Sequence, residues 1–186
     1  MAKEKKHTPE QILHADKPFA QIELVPAERN HEPILANLLE LYIHDFSEFH
    51  DSEIGADGRF GYGNLPLYWS DPDRRPFLVR MNGKLVGLVF VRRGQNVSDN
   101  ETVWDMAEFF VLRGYRRRGI GTNVAHEVWK HLPGRWEVRV TESNVPARLF
   151  WARAISTFLD KVVNPVRIEK AGDCWQIFSF ESKPTA

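Results

Sequence analysis

Apolar positions change period several times along this chain, and each change predicts an element. From Pro33, residues Ile34, Leu35, Leu38, Leu39, Tyr42 and Ile43 recur at helical spacing and Phe46 and Phe49 continue the stripe, which predicts an amphipathic helix lying on a flat surface. Ahead of it, residues 1–18 are polar and patternless, predicting a mobile tail, and a first strand is expected over 19–25. Residues 51–75 mix glycine, proline, aspartate and aromatics without period, as in an irregular loop able to line a site. Segments 77–81 and 85–91 flank Asn82-Gly83, a dipeptide suited to a tight hairpin turn, and 102–112 reads as a third long strand. Ile120, Val124, Val128 and Leu132 then fall on one helical face, closed by Pro133-Gly134. Trp136, Val138 and Val140 alternate as a strand. Ser143 or Asn144 can cap a helix with Pro146 in its first turn and Ala147, Phe150, Trp151, Ala154 and Phe158 along its buried stripe. A hairpin over 166–169 and 175–180 closes the chain, so the order predicts a mixed α/β sandwich without repeats, one domain over residues 19–182.

Composition narrows the function classes. The 186 residues are 42% hydrophobic, enough for one buried core, and 25 Lys and Arg balance 25 Asp and Glu. No bulk field draws the chain to nucleic acid or an anionic membrane, and no segment approaches the roughly 18 apolar residues that span a bilayer. The single Cys174 excludes an internal disulfide and a cysteine-rich zinc site, and fits a reducing cytoplasm.

The segment EFFVLRGYRRRGIGT carries the chemistry. A strand runs into a turn with Gly119 and Gly121 and then into a helix whose first N–H groups have no internal partner, an anion-binding arrangement that Arg116, Arg117 and Arg118 reinforce. A tight turn edged by solvated arginines would show the same glycines. No Gly-Lys-Ser/Thr follows, which excludes a Walker A loop. Glu142 lies about twenty residues on, as in a dinucleotide-binding fingerprint, but Val124 stands where its third glycine belongs, leaving dinucleotide binding a remote alternative.

Arg116-x-x-Gly119-x-Gly121 at a strand-to-helix junction, followed after the next strand by Asn144-x-x-Ala147-x-x-Phe150-Trp151, resembles the GNAT acetyltransferase superfamily. The resemblance implies a GNAT-like α/β (α+β) fold: a mostly antiparallel central sheet, two parallel splayed strands and flanking helices. It implies acetyl-CoA as co-substrate and no metal. The main chain of Phe110, Val111 and Leu112 would pair with the pantetheine arm. Arg116, Arg117, Arg118, Gly119, Ile120, Gly121 and Thr122 would hold the pyrophosphate, with Asn144 and Trp151 alongside. The Phe109-Phe110 pair is the expected site of the bulge that parts the two strands.

The resemblance also places an acid at Glu108, beside the substrate amine, as in the polyamine acetyltransferase branch; a salt-bridged strand-surface glutamate is the plainer reading. Trp151 stands where many relatives have a tyrosine, and indole N–H is no usable acid, so Tyr42, Tyr62, Tyr68 or solvent would have to serve. Trp151 also reads as an ordinary core aromatic. Asp45 and Glu48, with Asp51 and Glu53, form an acidic end to the first helix that, together with Tyr42, borders the acceptor site in resembling enzymes and would draw a cationic amine; a solvated helix end explains the acids too. His44 and His50 lack a third ligand for a metal. The expected activity is N-acetylation of a small amine or peptide by direct attack. A catalytically silent acyl-CoA sensor is the alternative, and a homodimer stays open.

Overall fold

The computed structural model of the protein describes residues 21–94, 102–170 and 172–184, so the expected tail and the start of the first strand at residue 19 lie outside the described residues. The elements run β1 Ile22–Pro26, α1 Glu32–Phe46, α2 Leu67–Ser70, β2 Arg74–Met81, β3 Lys84–Arg93, β4 Trp104–Val111, α3 Ile120–His131, β5 Gly134–Thr141, α4 Val145–Leu159, β6 Val166–Lys170 and β7 Asp173–Ser182. The first helix stops short of Phe49. The Ser47 hydroxyl donates back to the His44 carbonyl, and Phe49 and His50 both direct their N–H groups to Phe46, which closes the last turn. The irregular segment 51–75 holds the single turn α2 and the start of β2.

One sheet in the order β1-β2-β3-β4-β5-β7-β6 is antiparallel at every pairing except β4 with β5. That parallel pair is recorded only at Trp104↔Trp136 and Asp105↔Glu137, after which the strands part. The mixed fold with two splayed parallel strands is therefore the one the sequence predicts. Helices α3 and α4 bury Val124, Val128, Trp129, Trp151 and Ile155 against Val89, Val91, Trp136 and Val138 on one face. Leu35, Leu38 and Leu39 of α1 cover Leu78, Leu88, Phe90 and Phe110 on the other.

The irregularity that shapes β4 sits at Ala107, not at the expected Phe109-Phe110. Phe90 pairs with Glu108 but Val91 pairs with Met106, leaving Ala107 as the extra residue. The two phenylalanines need no bulge: ordinary alternation sends Phe109 toward Phe150 and Trp151 and Phe110 toward Tyr42 on the opposite face. The extra residue changes the parity of the strand. Asp105 and Glu108, three apart, consequently come onto the same face as Arg92, Phe90 and Phe110. Opposite them, Gly87 lets β3 approach closely, because a Cβ there would overlap the Phe110 carbonyl oxygen.

Candidate active site

Glu108 sits on β4 just beyond the last rung shared with β5, half-buried among aromatic rings. The Tyr62 hydroxyl donates to its Oε1 at 2.8 Å, and the Tyr42 hydroxyl lies beside the same carboxylate. Burial lifts the Glu108 carboxyl above its ordinary value, with Asp105 adding to the rise, against the opposing pull of Tyr42, Tyr62 and Arg92. The same burial and the nearby Glu108 push the phenols of Tyr42 and Tyr62 upward, and Tyr68 to about 12. All three phenols therefore keep their protons at neutral pH. Tyr68 packs on Phe90 with ring centroids 4.1 Å apart, and its buried hydroxyl closes no hydrogen bond of ordinary geometry, although Tyr62 is a neighbour.

A helix carboxylate secures the loop that delivers Tyr62. Glu40 of α1 accepts from the Phe60 N–H at 2.8 Å and the Gly61 N–H at 3.0 Å, two consecutive main-chain donors just before Tyr62. Between α1 and this loop runs a groove of about 370 Å³ lined by Ala36, Glu40, Arg59, Phe60, Tyr62 and Leu65. A second groove of about 290 Å³, between β1 and α3, lies on the other face, away from Glu108.

Beside the carboxylate lies an ionic group that sequence reasoning did not single out. Asp105 is fully buried and accepts from Arg92 Nε at 2.8 Å and from Arg139 through Nε at 3.1 Å and Nη2 at 2.8 Å. A second charged residue beside Glu108 within the mostly apolar run 103–111 was a usable signal. Its partners, from β3 and β5, could not be read because the parity change at Ala107 is invisible in sequence.

At the other end of β4, the turn into α3 takes Arg117 to φ 60° and Gly119 to φ 77°, both left-handed. No side chain caps α3, and the first helical hydrogen bond runs from Asn123 N–H to the Gly119 carbonyl, so the N–H groups of Ile120, Gly121 and Thr122 are left without helical partners. Arg117 and Arg118 are exposed beside them. At Gly121 a Cβ would lie 3.2 Å from the Phe150 ring, so packing against that ring accounts for the glycine there. Among the strand-end groups, the Val111 carbonyl accepts from Arg116 Nε at 2.7 Å and the Leu112 N–H donates to Val86. Asn144 caps α4, its side chain accepting from the Ala147 N–H at 3.0 Å. Trp151 is buried between Phe109, Trp129 and Phe150.

The acids expected at the acceptor do not converge. Asp45 pairs with Arg113 at 2.8 Å and with Arg116; burial opposes its ionisation, but the hydrogen bonds from these two arginines hold its carboxyl below the ordinary value. Glu48, Asp51 and Glu53 are exposed beyond the helix end. Of the three residues assigned to the acceptor, only Tyr42 stands at Glu108. His44 faces the Phe60 ring and His50 stacks on Phe46.

The sequence model of the Acetyltransferase (GNAT) family matches residues 35–155, well over half of the chain. The chain belongs to the GNAT acetyltransferase family. No curated protein sequence matches it. Among solved structures, an acetyltransferase from Thermus thermophilus is similar with a TM-score of 0.63 and 17% identity, covering 86% of this chain and 96% of that one. Arabidopsis thaliana NAA60 in complex with acetyl-CoA is similar with a TM-score of 0.55 and 16% identity, over 87% of this chain and 98% of its own. A spermidine N-acetyltransferase SpeG chimera from Vibrio cholerae and hSSAT gives 0.56 and 14%, over 87% and 96%. At these identities the likeness shows the fold.

GNAT membership makes acetyl-CoA the co-substrate to test against the residues present, and they fit it. Among the described residues, the edge of β4 toward β5 has no strand partner from Met106 to Val111, so an extended polar arm can lie there as a strand would. The uncapped start of α3, with Arg117 and Arg118, suits a pyrophosphate.

Proposed function

We propose that the protein transfers an acetyl group from acetyl-CoA to an amine of a small molecule or peptide by direct attack, with Glu108 taking the proton of the amine. The observation that carries this reading is the half-buried Glu108 carboxylate, raised in pKa and bonded by Tyr62, at the point where β4 leaves β5. A base whose pKa lies closer to the working pH takes a proton more effectively than an ordinary surface carboxylate. Tyr62 fixes the carboxylate's rotamer, and Glu40 fixes Tyr62 through the main chain of Phe60 and Gly61. Acetyl-CoA bound along β4 supplies an activated thioester carbonyl. Arg117, Arg118 and the N–H groups of Ile120 to Thr122 would hold its pyrophosphate, with Asn144 at the start of the neighbouring helix, while Trp151 supports the site from the core. Arg116 braces the turn by joining Val111 to Asp45.

Buried Trp151 offers no acid, but a thiol with a pKa of about 8.5 leaves well as a thiolate, and the protonated phenols of Tyr42 and Tyr62 remain beside the base. The single cysteine fits action in the cytoplasm.

Thiol release from acetyl-CoA over a panel of amines tests the reading. Turnover with at least one amine is expected, and Glu108→Gln should reduce kcat about a hundredfold while the affinity for acetyl-CoA stays the same. An acyl-CoA sensor would bind without releasing thiol for any amine.

A further inference from the structure

We propose that the acceptor carries an anionic group, a carboxylate or phosphate, set apart from its reacting amine and held by Arg92 and Arg139. The inference rests on Glu108 being the end of the site that receives the amine.

The first ground is charge. Two guanidinium groups share the one carboxylate of Asp105, so neither arginine has a carboxylate of its own at ion-pair distance among the described residues. Glu108 lies on the same face but makes no ion pair with either arginine among the described residues; its close bond is to Tyr62. The second ground is unused hydrogen-bonding capacity. Arg92 spends Nε on Asp105, and Arg139 spends Nε and Nη2. The remaining guanidinium N–H donors have no protein partner among the described residues, and none is a buried unsatisfied atom. They therefore face accessible space, consistent with side-chain exposures of 19% for Arg92 and 21% for Arg139. A planar guanidinium with free parallel donors is the side chain best matched to a carboxylate or phosphate.

The third ground is placement. Arg92 on β3, Asp105 on β4 and Arg139 on β5 share the face of Glu108, and Arg139 lies two residues past the last β4–β5 rung, at the mouth of the gap where the acetyl group would arrive. Asp105 and Glu108 are separated by roughly 10 Å or less along the strand, at about 3.3 Å per residue. The Arg139 guanidinium is also braced 5.7 Å from the centroid of the Trp175 ring, so Asp105 and Trp175 together hold it in one orientation. An acceptor with an amine at one end and an anion at the other matches a site with Glu108 and phenols at one end and two arginines at the other. The acids that would instead favour a purely cationic acceptor are neutralised, in the case of Asp45, or dispersed into solvent.

Two measurements test this. Initial rates are compared for glycine, leucine, β-alanine, 4-aminobutyrate and 6-aminohexanoate against their carboxamides, and for phosphoethanolamine against ethanolamine. The anionic member of at least one pair should have a kcat/KM roughly tenfold or more above its neutral counterpart, as expected where a built hydrogen-bonding site loses its partner. The pair that responds distinguishes carboxylate from phosphate. Arg139→Gln should bring that ratio to near one, and Arg139→Lys should keep part of it. Independently of catalysis, the arginine Nε–H signals of the unmodified protein are followed by NMR as N-acetyl-β-alanine, N-acetylleucine, N-acetylleucinamide or O-phosphoethanolamine is added. The Arg92 and Arg139 signals should move with the anions and not with the amide. Neutral and anionic acceptors turned over equally well, or arginine signals indifferent to every anion, would overturn the inference while leaving Glu108 as base. Signals that respond in a protein that acetylates nothing would keep the anion site and remove the catalytic reading.

Discussion

At the scale of single residues, Glu108 is where folding and chemistry pull apart. Its carboxyl holds a proton more tightly in the folded chain than in the unfolded one, where its pKa is near 4.5. Its favourable contribution to stability is thus complete below that pH and is lost as pH rises through the folded value, so at neutral pH the ionised group is a net cost. Glu108→Gln should therefore raise the melting temperature at pH 7 to 8, by about 2–4 °C for each kcal/mol relieved, and the gain should shrink toward pH 4. Differential scanning calorimetry across that range checks it. A lower melting temperature for the variant at neutral pH would mean that the carboxylate is there to hold the fold. Glu108 itself could be picked out from sequence because it precedes a distinctive motif. Asp105, Arg92 and Arg139 could not be joined to it: residues 105 and 108 have opposite parity in a regular strand, and only the extra residue at Ala107 gives them a common face. Asp45 and Glu48 misled in the opposite way, since adjacency along a helix end says nothing of the arginines that arrive from another segment.

At the scale of elements, the periodic segments were legible because their burial is one-sided. The stripe of α1 and the four-residue steps of α3 each follow from a single face meeting the sheet. Loop 51–66 was not, because its order comes from outside it, through Glu40 and Glu108. The glycine turn was legible as a motif, but the separate reason for each glycine was not. Gly119 is a glycine for its left-handed φ of 77° in open space, whereas Gly121 is one because the Phe150 ring packs onto it. The two should fail differently. Gly119→Ala should cost about 1–2 kcal/mol through backbone strain alone. Gly121→Val should cost about 1–3 kcal/mol through displacement of Phe150 and its stack on Phe109 and Trp151. Urea denaturation gives both energies, and near-ultraviolet circular dichroism should change for Gly121→Val only. Identical aromatic signals in the two variants would remove the packing role given to Gly121.

At the scale of the whole molecule, the sheet is two half-sheets joined at two rungs, Trp104↔Trp136 and Asp105↔Glu137, with α3 and α4 bridging them on one face. A ligand lying against β4 would complete the missing ladder, and its binding would then be read at the main chain as well as at the site. In the free protein the amide hydrogens on the open edge of residues 106–111 should trade for deuterium orders of magnitude faster than those of β2 and β3, which are paired along their length. Saturating acetyl-CoA should slow that exchange in this segment and in 138–141, and raise global stability by about 2.7 kcal/mol at a hundredfold excess over Kd. Mass spectrometry of peptides from these strands would show it. The sheet behaves in this respect like a zipper with its upper teeth left open, and the solvent isotope records how far it has been closed.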